Sequence, residues 1–281
     1  MTDLFLLLPR IERLLDRLEG APAEAIDWKK IHAARWVAET RQLHAICHPH
    51  RIETRHLLAI DEQKRRIDAN TRQFVEGRPA NNVLLTGARG TGKSSLVKAM
   101  LAKYAGKGLR LVEIDKAGLA HLPELFERLP ESPQRFILFC DDLSFTVDEP
   151  GYPALKAALD GSLSTPADNV LIYATSNRRH LMPEYMAENE EARHLGGEVH
   201  PGEATEEKVS LSERFGLWVS FYPMDQDAYL AIAAHWAKEL GAKDADSERF
   251  IRAALQWSLA RGARSGRVAQ QFAKDWAGQG K

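Results

Sequence analysis

The run GARGTGKS, Gly87 to Ser94, constrains this chain more than any other stretch. It fills every fixed position of the phosphate-loop pattern G-x-x-x-x-G-K-S, and it lies between the apolar stretch NNVLLT and the helix-forming stretch SSLVKAMLAKY. A strand that feeds a helix through such a loop points several backbone N–H groups at one phosphate, and the helix N-terminus adds a favourable dipole. Gly87, Gly90 and Gly92 let the backbone bend and keep side chains out of that approach. Ala88, Arg89 and Thr91 complete the loop. Lys93 is expected to reach the β- and γ-phosphates, the Ser94 hydroxyl to ligate magnesium, and Thr91 and Ser95 to help cap the helix.

From Asn82 onward, VLLT, LRLVEID, RFILFCDD, VLIYATSN and LWVSFYP are short β-rich apolar runs separated by helical stretches. That alternation predicts an α/β fold, a five-stranded parallel sheet between helices. With 44% hydrophobic residues in 281, the chain can bury one large core and a smaller satellite. RFILFCDD ends in two acids, one helix and one strand after the phosphate loop. Asp141 is placed to hold magnesium through water, and Asp142 to orient or deprotonate an attacking water. A turn-capping role competes for Asp142.

The amphipathic spacing of Leu4, Leu7, Ile11, Leu14 and Leu18 predicts a first helix. Asp27 is expected to cap a second, through Trp28, Ile31, Arg35 and Trp36. CHPHRIETRH reads as loop, and DEQKRRIDANTRQFVEG as a third helix. After Pro223 the pattern is helical throughout. The expected division is an N-terminal helical region over 1–54, a nucleotide-binding core over 55–223 and a helical lid over 224–281.

In this order of elements, residues 55 to 281 resemble the AAA+ family of P-loop ATPases. The resemblance implies ATP and Mg2+ as cofactors and gives further residues roles. Asn177, at the end of VLIYATSN, matches the polar sensor between the acidic strand end and the γ-phosphate. Arg214 in LSERFG matches the arginine finger that reaches a neighbouring subunit's nucleotide, which implies a ring or helical homo-oligomer assembled with ATP. Arg264, with Arg267 as second choice, matches the lid arginine that touches phosphate; a forked, permanently charged guanidinium suits that task. Leu58 and Ile60 match base contacts. Asp142 stands where most hydrolysing relatives carry Glu, and the shorter carboxylate leaves a slow, switch-like ATPase open. PANNVLLTGARGTGKSSLVKA, FCDDLSF, ATSNRRHLMPEYM and EVHPGEATEEKVSLSERFGLWVSFYP more specifically resemble the bacterial ATP-binding family known as domain of unknown function 815.

Between Arg178 and Arg214 the connection is longer than a compact domain needs, and an insertion over about 182–210 is expected to bind a partner. Its Glu188, Glu190, Glu191, His194 and His200 fit no standard metal spacing. Lys and Arg number 38 against 39 for Asp and Glu, so bulk charge gives no argument for nucleic acid. A protein client is expected and DNA stays open. Threading of protein is disfavoured, because DKAGLAHLPEL carries no aromatic residue. A small-molecule kinase is disfavoured, since no lid with paired arginines follows the acidic strand. The two cysteines, Cys47 and Cys140, form no paired motif, and Cys140 is expected in the core. The N-terminus lacks the charge pattern of a signal or membrane span, so a cytoplasmic location is expected.

Overall fold

The computed structural model describes residues 26–129, 133–145, 151–160, 168–177, 194–195, 198–199 and 211–279. The helix expected around Leu4–Leu18 and most of the 182–210 insertion lie outside these residues. The chain runs through β1 (Ala33–Val37), β2 (Gln42–Ile46), α1 (Asp61–Val75), β3 (Val83–Gly87), α2 (Lys93–Tyr104) and β4 (Leu109–Ile114). It continues with α3 (Leu122–Arg128), β5 (Arg135–Cys140), α4 (Gly151–Asp160) and β6 (Val170–Ser176). The two-residue strands β7 (His194–Leu195) and β8 (Glu198–Val199) pair with each other. Then come β9 (Leu217–Phe221) and the helices α5 (Gln226–Glu239), α6 (Glu248–Ala260) and α7 (Gly266–Gly278).

Seven strands form one sheet in the order β2-β1-β4-β5-β6-β3-β9, two more than the five expected. Within this sheet, among the described residues, only the β1–β2 pair is antiparallel; β1, β4, β5, β6, β3 and β9 run parallel. The central strands β3, β4, β5 and β6 are buried on both faces because helices cover both. Phe136, Leu138 and Cys140 of β5 join one core layer with Leu125 of α3 and Leu155 of α4. Ile137 and Phe139 join the opposite layer with Phe74 of α1 and Met100 of α2. Cys140 is a free, buried cysteine, as expected, and burial raises its thiol pKa. The buried Tyr173 hydroxyl meets Asn70 Nδ2 at 3.0 Å and Thr71 Oγ1 at 2.9 Å, and burial pushes its pKa up to about 12. These partners satisfy a polar group that would be costly to bury alone.

The helix expected from Asp27 through Trp36 is a turn followed by strand β1. The Asp27 carbonyl accepts from the N–H groups of Lys30 and Ile31, both at 2.9 Å, and its carboxylate accepts from Lys29 N–H at 3.0 Å. Tertiary pairing overrides the local pattern: Ala33–Arg35 run beside Leu111–Glu113 and cover the edge that β4 would otherwise expose. Trp36 is buried and donates its indole N–H to His121 Nδ1 at 3.1 Å. Burying a large apolar side chain contributes about 1.5–3 kcal/mol. The Arg35–Glu113 pair at 2.7 Å is partly exposed and worth about 0.2–1 kcal/mol. Trp36 therefore anchors the hairpin more than the ion pair does.

The three last helices surround Tyr229, Phe250, Phe272 and Trp276 in a separate small core. Each starts at a side-chain cap: Asp225 accepts from Ala228 N–H, Ser247 from Phe250 N–H and Ser265 from Val268 N–H. Among the described residues no helix is long and apolar enough to cross a membrane.

Candidate functional site

The phosphate loop leaves the C-terminal end of β3, beside the ends of β6 and β9. Gly87, Gly90 and Gly92 have φ of 127°, 75° and 102°, a region that L side chains rarely adopt. At Gly87 space is also closed, because a Cβ would lie 1.9 Å from the Phe221 carbonyl oxygen. Gly92 is the N-cap of α2, so the positive end of the helix dipole faces the loop.

Lys93 is buried at the head of α2. Its Nζ donates to the carbonyls of Gly87 at 2.6 Å and Ala88 at 2.8 Å, and to Asn177 Oδ1 at 3.1 Å. Burial holds this ammonium below the ordinary lysine value; Asp141 and Asp142 oppose that effect, and Arg89 and Arg267 add to it. Asp141, just past β5, accepts from Ser94 Oγ and Thr175 Oγ1, each at 2.6 Å. Asp142 accepts from the Asn177 amide, lies 3.7 Å from Arg89, and has a left-handed backbone with φ of 54°. The Asp142 N–H donates to Thr175 Oγ1 at 2.9 Å. Ser94 and Lys93 from the head of α2, Asp141 and Asp142 from the end of β5 and Asn177 from the end of β6 thus form one cluster, connected through Thr175.

The cluster floors a cavity of about 750 Å³. Arg89, Gly90, Thr91, Gly92, Lys93, Ser94 and Ser95 line it with Leu58, Ile60 and Arg267. Ile60 packs against the loop: a Cβ on Gly92 would lie 3.4 Å from its Cδ1. Arg264 is exposed and outside the lining, so Arg267 is the lid arginine that the structure brings to the site. The lid is docked on the loop. Gly266 N–H donates to the Gly90 carbonyl at 2.9 Å, and the Ser265 side chain fills the space over Gly90. Arg214 lies outside the cavity lining, and its Nε donates to Asp160 at the end of α4.

Several lining residues were not singled out from the sequence. His50, Arg51, Ile52, Glu53 and His56 come from the stretch read as loop, and Met224, Ile232, Trp236 and Gln270 come from the lid. The dense rings and charges of CHPHRIETRH, directly ahead of Leu58, were the available signal. The lid residues carried none, since they face the cavity only through tertiary packing.

A parallel sheet in the order β4-β5-β6-β3-β9, a phosphate loop after β3, acids after β5 and a helical lid over the loop define the AAA+ type of P-loop NTPase fold. The model of the family described as "Protein of unknown function (DUF815)" matches residues 29–280, and the chain belongs to that family. The solved structures that share the fold include two examples. The Aeropyrum pernix ORC1 protein in complex with DNA aligns with a TM-score of 0.55 at 16% identity, over 79% of this chain and 61% of that one. A chain of the E. coli MS115-1 HORMA:CdnC:Trip13 complex aligns with a TM-score of 0.51 at 14% identity, over 79% of this chain and 89% of that one. No curated protein matches the chain.

Proposed function

We propose that this chain is an ATPase that binds Mg-ATP in the 750 Å³ cavity and hydrolyses it at interfaces between its own copies, so as to remodel or load a protein or nucleic-acid client. One arrangement supports this most strongly: the Lys93 ammonium is aimed at Asn177 and the loop carbonyls while Ser94 and Asp141 meet beside it. A triphosphate entering there would take over the Lys93 ammonium and supply the negative charge that its burial demands. Ser94 and Asp141 offer the hard oxygen donors that suit magnesium, directly and through water. Magnesium would neutralise charge on the β- and γ-phosphates; the chain's own residues position and polarise. Asp142 accepts a proton from the attacking water, Asn177 orients that carboxylate, and Arg267 reaches phosphate from the lid. Leu58 and Ile60 contact the base. The division falls near residue 223, where the sheet ends and the lid begins.

Arg214 lies outside its own cavity, which suits a finger offered to a neighbouring copy. Turnover per chain should therefore rise cooperatively with protein concentration in a steady-state ATP hydrolysis assay. A rate per chain that is independent of concentration would contradict an intersubunit site. It would favour the second reading, a slow ATP-dependent switch that recruits a partner. That reading has its own support at Asp142, whose short carboxylate is held by Asn177 and faces Arg89, so that it must be released before it can take a proton. Client contacts fall to the insertion at about 182–210 in either reading.

A further inference from the structure

His56, His235 and Glu239 meet where the lid rests on the core. His56 closes the 3-10 turn Thr54–His56, immediately before Leu57, Leu58 and Ile60 at the cavity. His235 and Glu239 stand one turn apart on α5, on one face of the lid's first helix. His56 Nδ1 lies 2.9 Å from His235 Nε2, and one ligand atom from each of the three residues lies within 4.8 Å of the others. The His56 ring stacks on Trp236 with centroids 4.9 Å apart and planes 25° from parallel, which fixes its direction. His235 meets the edge of the same indole at 5.7 Å.

We propose that these three residues form a binding site for a zinc-like divalent transition metal that ties the lid to the core beside the nucleotide cavity. Donor chemistry distinguishes it from the magnesium position at Ser94 and Asp141. Two imidazoles and one carboxylate suit zinc and its neighbours, whereas magnesium takes oxygen ligands. Bonds of about 2.0–2.1 Å at tetrahedral angles set ligand atoms roughly 3.3 Å apart. The two histidine nitrogens stand close to that spacing, and exposed Glu239 at the end of α5 has the freedom to swing in. Three protein ligands leave a fourth position for water. The ion would take the place of the hydrogen between His56 Nδ1 and His235 Nε2, leaving each neutral ring with its proton on the nitrogen away from the metal, and would add a bond between two segments linked there by that hydrogen bond and the His56–Trp236 stack. Closure of the lid over Leu58, Ile60 and the phosphate loop then depends on metal as well as on nucleotide.

The site stands apart from the ATP reading, because metal uptake is measurable without nucleotide. The full chain, stripped with a chelator and kept in excess Mg2+, is titrated with zinc by calorimetry and with cobalt(II) by visible absorption. One equivalent per chain is expected for the native protein and equally for Asp141→Asn. Uptake is expected to be lost in His235→Ala and weakened in Glu239→Gln, with the circular dichroism of both metal-free variants unchanged. If His235→Ala fails to fold, Glu239→Gln alone decides, since its side chain is exposed and keeps its shape. Uptake lost in Asp141→Asn but kept in His235→Ala or Glu239→Gln would place the ion on the phosphate-loop acids and overturn the proposal. Absence of saturable uptake by the native chain would overturn it as well, leaving His56 and His235 as a hydrogen bond between lid and core.

Discussion

Arg214→Ala is expected to lower ATP turnover of the assembled protein by about 10³–10⁵-fold, the range for an arginine that stabilises a transferring phosphoryl group, while ATP binding persists. The effect must be separated from loss of the Arg214–Asp160 contact within the chain. That pair is partly exposed, and such pairs contribute about 0.2–1 kcal/mol, far too little to silence an enzyme. Asp160→Ala breaks the same pair and leaves the guanidinium in place, so its turnover should stay near the native value. Equal losses in both variants would mean that Arg214 acts by holding α4 in its own subunit. Steady-state hydrolysis at one fixed, high protein concentration, with nucleotide binding measured alongside, makes the comparison.

Gly87→Ala is the second large effect, and it acts on the fold before it acts on chemistry. Its φ of 127° is strained for any L side chain, which costs about 1–3 kcal/mol. The new Cβ would also sit 1.9 Å from the Phe221 carbonyl oxygen, across the β3–β9 pairing, and overpacking of this kind adds about 1–3 kcal/mol. Because backbone rather than a flexible side chain blocks the space, β9 must shift or the loop must unwind. Chemical denaturation should show a loss of several kcal/mol, among the largest for a single methyl group. A midpoint within error of the native protein would mean that the loop and β9 yield without cost.

The parts of this molecule that were legible in the sequence are those written in one short stretch. GARGTGKS, the acids of RFILFCDD and the polar end of VLIYATSN each sit at a strand end, and the structure brings Lys93, Ser94, Asp141, Asp142 and Asn177 into hydrogen-bonded contact. Strand alternation announced the parallel sheet because helices bury both faces. Two things were not written locally. The stretch from Asp27 through Trp36, which contains most of β1, carries a spacing that also fits a helix, and the open edge of β4 decides between them. The lid side of the cavity is built across long separations, as with the stacked rings of His56 and Trp236. Choosing between Arg264 and Arg267 needed the docked lid, since α7 sets which of the two faces the loop.

ATP binding, with and without Mg2+, measured by calorimetry on the native chain and on Lys93→Ala, tests the central claim most directly. The account predicts one ATP per chain, affinity that strengthens with magnesium, and loss of that binding when the Lys93 ammonium is removed. Native-like ATP affinity in Lys93→Ala, or no ATP binding by the native chain at all, would contradict it.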